Sequence, residues 1–209
     1  MEAVIFDMDG VVVDTEQYWI EEEREMIEKL GFDGITPETL AGMSITNTYE
    51  FLADRYDISM TEEEFFRLYE NRAHEVYWDK AELMPGLEEL MERLRENGLK
   101  IGLATGSYWP DYVIERFDLD FDTVVSSGTV EGPGKPDPET YRLAVQNLGV
   151  EPAEAVAVED TDSGLKSAKE AGLYCIGYLG STGQQLSEAD ETVEGPAELR
   201  ERLLELISR

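Results

Sequence analysis

From Leu83 onward the chain alternates short apolar runs with helical patterns, and that rhythm leaves few folds open. Lys100-Ile101-Gly102-Leu103-Ala104, Thr123-Val124-Val125-Ser126, Ala155-Val156-Ala157-Val158 and the run from Leu173 to Tyr178 read as buried strands. Helical stretches separate them. Gly86 to Asn97 carries Leu87, Leu90, Met91 and Leu94 on one face, and Gly98 ends it; Tyr108 to Phe117, Pro138 to Leu148 before Gly149, and Ser163 to Ala171 follow. Strand–helix alternation of this kind predicts an α/β fold, a parallel sheet with helices on both faces. One further strand opens the chain at Met1-Glu2-Ala3-Val4-Ile5-Phe6.

Residues from about Thr15 to Lys80 break the rhythm. They predict three or four amphipathic helices, Glu16–Leu30, a short one near Pro37–Ala41, Thr46–Tyr56 and Thr61–Asp79, with no strand signal between them. Thr61-Glu62-Glu63-Glu64 has the pattern of a capping box, in which hydroxyl and carboxylate close the helix start reciprocally. The expected organisation is an α/β core of residues 1–14 and 82–209, with a small all-helical domain of residues 15–81 inserted after the first strand.

In a parallel α/β sheet, ligands bind beyond the carboxyl ends of the strands. Asp7-Met8-Asp9-Gly10 follows the first strand, Thr105-Gly106-Ser107 the second, and Glu159-Asp160-Thr161-Asp162-Ser163-Gly164 the fourth. Lys135 lies in the loop Gly132-Pro133-Gly134-Lys135-Pro136-Asp137-Pro138. Acids, a hydroxyl and a lysine from four distant stretches are therefore expected at one edge. Such a set suits cleavage of a phosphate ester by a carboxylate. Nucleophile and phosphate are both anionic, and two unit charges about 4 Å apart repel by about 4 kcal/mol at an effective dielectric of roughly 20. A lysine and a divalent cation offset that repulsion and stabilise the transition state. Asp7 and Asp160 are candidate metal ligands, and Asp9, two residues beyond Asp7, can serve as proton donor and then as base.

Composition narrows the chemistry. Cys175 is the single cysteine and His74 the single histidine, so no internal disulfide, no multi-thiolate zinc site and no two-histidine mechanism is available. Hard oxygen ligands point to Mg²⁺. Cys175 falls in a predicted buried strand and is expected to be core; His74 stands among charged neighbours and is expected at the surface. With 47 acidic against 17 basic residues, the formal net charge is −30. That charge repels phosphate backbones and argues against a nucleic-acid partner. The acids are spread along the chain and lysine is scarce, a pattern resembling proteins of salt-loving organisms. No apolar run is long enough for a bilayer span, and the acidic start does not fit a signal peptide, so a cytoplasmic location is expected. The phosphate-loop pattern fails, because Thr129 stands where its first glycine belongs and Pro136 follows Lys135. Gly132-x-Gly134 lacks the third glycine of a dinucleotide site.

Asp7-Met8-Asp9-Gly10-Val11-Val12-Val13-Asp14-Thr15-Glu16 resembles the first motif of the haloacid dehalogenase superfamily. Thr105 matches its second motif, Lys135 within Gly134-Lys135-Pro136-Asp137-Pro138 its third, and Glu159-Asp160 its fourth. Their order, with a helical insert after the first motif, is similar to the branch of β-phosphoglucomutase and phosphoglycolate phosphatase. The resemblance implies a Rossmann-like core and a cap that closes over the site. It also implies roles: Asp7 as nucleophile and metal ligand, and Asp9 as acid/base lending its carbonyl to the metal. Thr105 and Lys135 would hold the phosphoryl group, with Gly10, Gly106 and Ser107 as further substrate-binding positions. Asp160 would ligate Mg²⁺ directly and Glu159 through water.

Departures from the family patterns discriminate among its chemistries. Asp9 argues against dehalogenation, where a halide leaving group needs no proton. Leu40-Ala41-Gly42-Met43-Ser44-Ile45-Thr46 has no lysine for the imine chemistry of phosphonate hydrolases. Sugar mutases of this branch carry a cap arginine where Ile45 stands and a histidine where Trp19 stands. Simple hydrolysis of a small phosphorylated metabolite is therefore expected, with a phosphosugar mutase or a non-catalytic binding relative as alternatives. Phosphoglycolate, sugar phosphates and nucleotide monophosphates all fit the pattern. Tyr18, Trp19, Met43, Ile45 and Trp109 are candidates either for lining a pocket or for plain packing.

Overall fold

The computed structural model describes residues 1–40, 43–180 and 186–207. In chain order its elements are β1 (Ala3–Phe6), β2 (Val13–Asp14), α1 (Glu16–Leu30), α2 (Pro37–Leu40), α3 (Ile45–Ala53), and α4 (Glu62–His74), which a π-helical stretch (Glu75–Lys80) continues. There follow β3 (Glu82–Leu83), α5 (Leu87–Glu96), β4 (Lys100–Ala104), α6 (Pro110–Phe117), β5 (Thr123–Val125) and α7 (Glu139–Leu148). The last are β6 (Ala155–Glu159), α8 (Asp162–Glu170), β7 (Tyr174–Tyr178), β8 (Glu191–Val193) and α9 (Pro196–Ile207). Two compact units result: Met1–Asp14 with Glu82–Arg209, and Thr15–Ala81.

The larger unit is built on a six-stranded sheet in the order β5-β4-β1-β6-β7-β8, with every neighbouring pair parallel. From β1 the chain steps outward to β4 and β5, then returns to the other side of β1 and continues through β6, β7 and β8. The direction reverses between β1 and β6, the topological switch point where such sheets bind ligands. β1 and β6 are buried along their whole length, as central strands covered on both faces must be. Ala3, Ile5, Ala104, Ala155, Ala157 and Cys175 face α7 and α8 in one apolar layer. The alternate residues Ile101 and Leu103, also buried, turn to the opposite face, and α5 packs against β4 with α9 beside it. The thiol of Cys175 is pushed up to about 12 by burial, which leaves it inert.

The helical unit encloses its own core. Phe65 and Tyr69 of α4 lie 5.3 Å apart between ring centroids, and Trp19 packs against Tyr69 at 6.4 Å and Tyr77 at 5.6 Å. Glu22 of α1 is buried and bonded to Lys80 at 2.6 Å, with Arg72 at 3.6 Å. The capping box at Thr61 is present: Glu64 N donates to the Thr61 hydroxyl at 3.2 Å, and Thr61 N to the Glu64 carboxylate at 2.8 Å. His74 is exposed and stacks on Trp78 at 6.1 Å.

Several expectations shift. The helix predicted as Thr61–Asp79 ends at His74 and widens into the π-helical stretch, where Ala81 N bonds back to Val76 O at 2.7 Å; an apolar pattern over six residues does not reveal a widened turn. α3 starts one residue earlier than predicted because Ser44 caps it, its hydroxyl accepting from Asn47 N at 3.2 Å. α6 begins at Pro110, whose missing N–H suits a first helical position. The predicted short helix is found as Pro37–Leu40, and its expected end at Ala41 lies outside the described residues, as does Gly42. β2 and β3, antiparallel at the neck of the insert, and β8 and α9 at the chain's end were not anticipated. Among the described residues, no helix is long and apolar enough to cross a membrane.

Candidate active site

The register of three strands builds the site. Phe6 is level with Val158 on β6 and Leu103 on β4, so Asp7, the next residue, emerges beside Glu159 and Ala104. Asp7 N still donates to Val158 O at 2.9 Å, which keeps it within the sheet's frame. The chain then closes a tight turn: Val12 N and Val13 N both donate to the Met8 carbonyl, and Gly10 N donates to Val13 O at 2.8 Å. Gly10 has φ +77°, and a Cβ there would overlap the Asp160 carboxylate, so both backbone and space demand glycine.

Lys135 enters from the loop before α7. The loop is pinned by the Ser167 hydroxyl donating to Asp137 O at 2.6 Å and by Glu139 N donating to the Asp137 carboxylate at 3.0 Å. The Lys135 ammonium has three hydrogens and three acceptors: Asp7 Oδ1 at 2.5 Å, Glu159 Oε1 at 2.5 Å and Ala104 O at 2.8 Å. Glu159 is the last residue of β6 and is fully enclosed. Its Oε1 also accepts from the Tyr141 hydroxyl at 2.8 Å, and its Oε2 from the Thr161 hydroxyl at 3.3 Å. Gly164 provides the room, since a Cβ there would overlap the Glu159 carboxylate.

Charge in this cluster is out of balance. Asp7, Glu159 and Asp160 each offer one carboxylate oxygen, all within 4.8 Å of one another, against the single ammonium of Lys135. Burial pushes the Asp7 carboxyl up to about 8; Lys135 opposes the shift, while Glu159 and Asp9 add to it. Asp160 is pushed up to about 9, by burial first and then by Asp7 and Glu159. Burial works to discharge Lys135, but Asp7 and Glu159 outweigh it and hold the ammonium above its ordinary value. Surplus buried negative charge on oxygen donors, without thiolate or imidazole, fits a hard divalent cation such as Mg²⁺.

The remaining sequence-predicted positions lie around this cluster. Asp9 is half-buried, and its charge reaches both Asp7 and Asp160. Its carboxylate is not one of the three clustered groups. Thr105, Gly106 and Ser107 follow β4. Thr105 N donates to Val125 O at 2.9 Å, and Ser107 N donates to the Thr105 hydroxyl oxygen at 3.0 Å. The Ser107 hydroxyl oxygen accepts from Trp109 N at 3.1 Å, outside α6. Asp162 stands in the first turn of α8. Thr161 is the cap, accepting from Gly164 N at 3.1 Å, while the Asp162 carboxylate takes the Ser187 hydroxyl at 2.9 Å.

Sequence reasoning missed five contributors: the Ala104 carbonyl, Ser127, Tyr141, Thr161 and Gly164. The Ser127 hydroxyl donates to Gly106 O at 2.7 Å and braces the loop after β4. Thr161 and Gly164 stand in the stretch that follows β6, but Tyr141, six residues after Lys135 on the buried face of α7, reads from sequence as plain core.

Acids and one lysine gather at the switch point of a parallel α/β sheet, the place where enzymes of this architecture bind their ligands. The haloacid dehalogenase-like hydrolase family matches residues 1–172, and the chain belongs to it. It is 31% identical over 217 residues to a beta-phosphoglucomutase of Bacillus subtilis, covering 98% of this chain and 94% of that protein. It is 32% identical over 198 residues to a phosphorylated carbohydrates phosphatase of Thermotoga maritima, covering 90% and 91%. Among solved structures, CbbY from Rhodobacter sphaeroides, in complex with phosphate, superposes with a TM-score of 0.81 at 26% identity over 95% of this chain and 96% of that one.

Proposed function

We propose that this chain is a phosphatase that hydrolyses a small phosphate monoester of the sugar-phosphate type, with Asp7 as nucleophile. The observation that carries the proposal is the placement of the Asp7 carboxylate at the switch point, bonded to Lys135 and clustered with Glu159 and Asp160. A carboxylate held this way is oriented before substrate arrives, and orientation is a large part of catalysis of phosphoryl transfer.

In this reading an Asp7 oxygen attacks phosphorus and the bond from phosphorus to the alcohol oxygen breaks. Asp9, half-exposed beside the cluster, gives its proton to the departing alkoxide. A water molecule then attacks phosphorus of the aspartyl phosphate, Asp9 takes its proton, and Asp7 is released with orthophosphate. The Thr105 hydroxyl, whose oxygen is held by Ser107 N, and the Gly106 amide bind phosphoryl oxygens, and Gly10 lets the loop approach Asp160. Asp7, Glu159 and Asp160, with the Asp9 carbonyl, would hold Mg²⁺, which supplies positive charge that neutralises the phosphoryl oxygens.

The relative named as a β-phosphoglucomutase supports a second reading, transfer of phosphate within a sugar. Ile45, buried at the start of α3, and Trp19, packed on Tyr69 and Tyr77, bring no charge to hold a second phosphate and favour hydrolysis. Incubation with β-glucose 1-phosphate and a bisphosphate primer separates the two: hydrolysis releases orthophosphate, whereas mutation yields isomerised sugar. Turnover of p-nitrophenyl phosphate that requires Mg²⁺ and stops with a chelator is the expected result. A protein inert toward a panel of small phosphate esters with Mg²⁺ present overturns the proposal.

A further inference from the structure

The Lys135 ammonium is fully committed within the protein. Its three hydrogens go to Asp7, Glu159 and the Ala104 carbonyl, so a fourth acceptor is met only if one of these is released. The Ala104 carbonyl ends a central strand, and Asp7 is the group to be oriented. Glu159 is therefore the partner best able to let go. A buried carboxylate oxygen left without a donor is costly, and Glu159 is 1% exposed. Glu159 has a second donor on the same oxygen, the hydroxyl of Tyr141 at 2.8 Å. Tyr141 is itself fully buried in the layer between sheet and α7, and its ring centroid lies 5.2 Å from the Lys135 nitrogen.

We propose that Tyr141 is a positioning residue: its hydroxyl holds Glu159 Oε1 so that Lys135 can pass one hydrogen bond from Glu159 to a phosphoryl oxygen without leaving that oxygen of Glu159 unpaired. The ring of Tyr141 borders the ammonium and keeps it between Asp7 and the incoming oxygen. This rests on the phosphatase reading and adds to it a residue outside the four motifs. No bond is made or broken at Tyr141; only the partner of one Lys135 hydrogen changes.

The test is Tyr141→Phe, which removes one oxygen and keeps the ring, beside Val145→Ala, which loosens the same buried face of α7 by packing alone. Four quantities are read in each: melting temperature, kcat and KM for p-nitrophenyl phosphate with Mg²⁺, and calorimetric affinity for orthophosphate with Mg²⁺. For Tyr141→Phe a fall of roughly tenfold in both kcat and orthophosphate affinity is expected, with melting close to the parent. Val145→Ala is expected to melt lower and keep both. Tyr141→Phe within twofold of the parent in kcat and phosphate affinity overturns the proposal, as does a loss no larger than that of Val145→Ala. If Tyr141→Phe does not fold, Tyr141→Met, which fills much of the same space without a hydroxyl, is read in its place by the same criteria: kcat and phosphate affinity within twofold of the parent, or a loss no larger than that of Val145→Ala, overturns the proposal. If the parent binds orthophosphate but hydrolyses nothing, the phosphatase reading fails while the orthophosphate arm still decides Tyr141. A parent that does neither overturns both.

Discussion

The Asp7 carboxylate and the Lys135 ammonium, 128 positions apart in the chain, meet at 2.5 Å on the carboxyl edge of the sheet. The same ammonium reaches Glu159 at the end of β6, so one lysine ties together the two strands that flank the switch point. Each consequence of that arrangement is open to measurement.

Removing the lysine leaves two enclosed carboxylates facing each other. Breaking one side of a buried ion pair costs about 3–5 kcal/mol, and Lys135 and Asp7 are both only 10% exposed at their side chains. Lys135→Met is expected to lower stability by that order in chemical unfolding near pH 8. The loss should be smaller near pH 5, where the Asp7 carboxyl, pushed up to about 8 by burial, is protonated. An equal loss at both pH values contradicts the electrostatic account.

Metal-free protein should grow less stable as pH rises. Asp7 and Asp160, ordinarily near 3.8, are pushed up to about 8 and about 9 in the folded state, chiefly by burial. The folded protein thus binds those protons more tightly than the unfolded chain. Their contribution is fully present below about pH 4 and is lost as pH climbs through 8 and 9. Mg²⁺ competes with those protons, so it should raise the melting temperature more at pH 9 than at pH 6. A metal-induced shift that is flat across this range would speak against the three-carboxylate site.

Gly164→Ala sets helix propensity against the site. Alanine in place of glycine within α8 favours the helix by about 1 kcal/mol. A Cβ at this position, however, overlaps a carboxylate fixed by Lys135, Tyr141 and Thr161. The displacement of Glu159 should win at the site. Mg²⁺ affinity by calorimetry and kcat are both expected to fall roughly 10–100-fold, in a protein that still folds. Unaltered Mg²⁺ affinity would mean that Glu159 has no part in holding the metal.

Much of the fold is legible in the apolar runs themselves. Val4-Ile5-Phe6, Ile101 to Ala104 and Ala155 to Val158 are too short and too apolar for anything but central strands, and their ends put Asp7, Thr105, Glu159 and Asp160 on one edge. The two-residue strands β2 and β3 carry no periodicity to detect. Neither does β8, of which only Val193 is buried. α9 was readable, because Leu199 and Leu203 stand four apart on one buried face. Within the site, pattern supplies residues that follow strands and misses those that reach in sideways. Tyr141 looks like a core aromatic and Gly164 like a weak point in a helix, because their meaning depends on where Glu159 ends up.

The net charge of −30 sets a further expectation. Self-repulsion among surface carboxylates is screened as the Debye length shrinks to about 3 Å at molar ionic strength. Melting temperature should climb from dilute buffer to molar KCl, and activity with it. A protein equally stable and active in dilute buffer would rule out adaptation to high salt.

Capture of the covalent intermediate identifies the nucleophile itself. Rapid acid quench during turnover of p-nitrophenyl phosphate with Mg²⁺, followed by peptide mass spectrometry, should find the phosphoryl group on Asp7. Asp7→Asn should show no label and lose activity by on the order of 10⁴-fold or more. A phosphoryl group found on another residue, or an Asp7→Asn protein that keeps the parent's rate, would contradict the account.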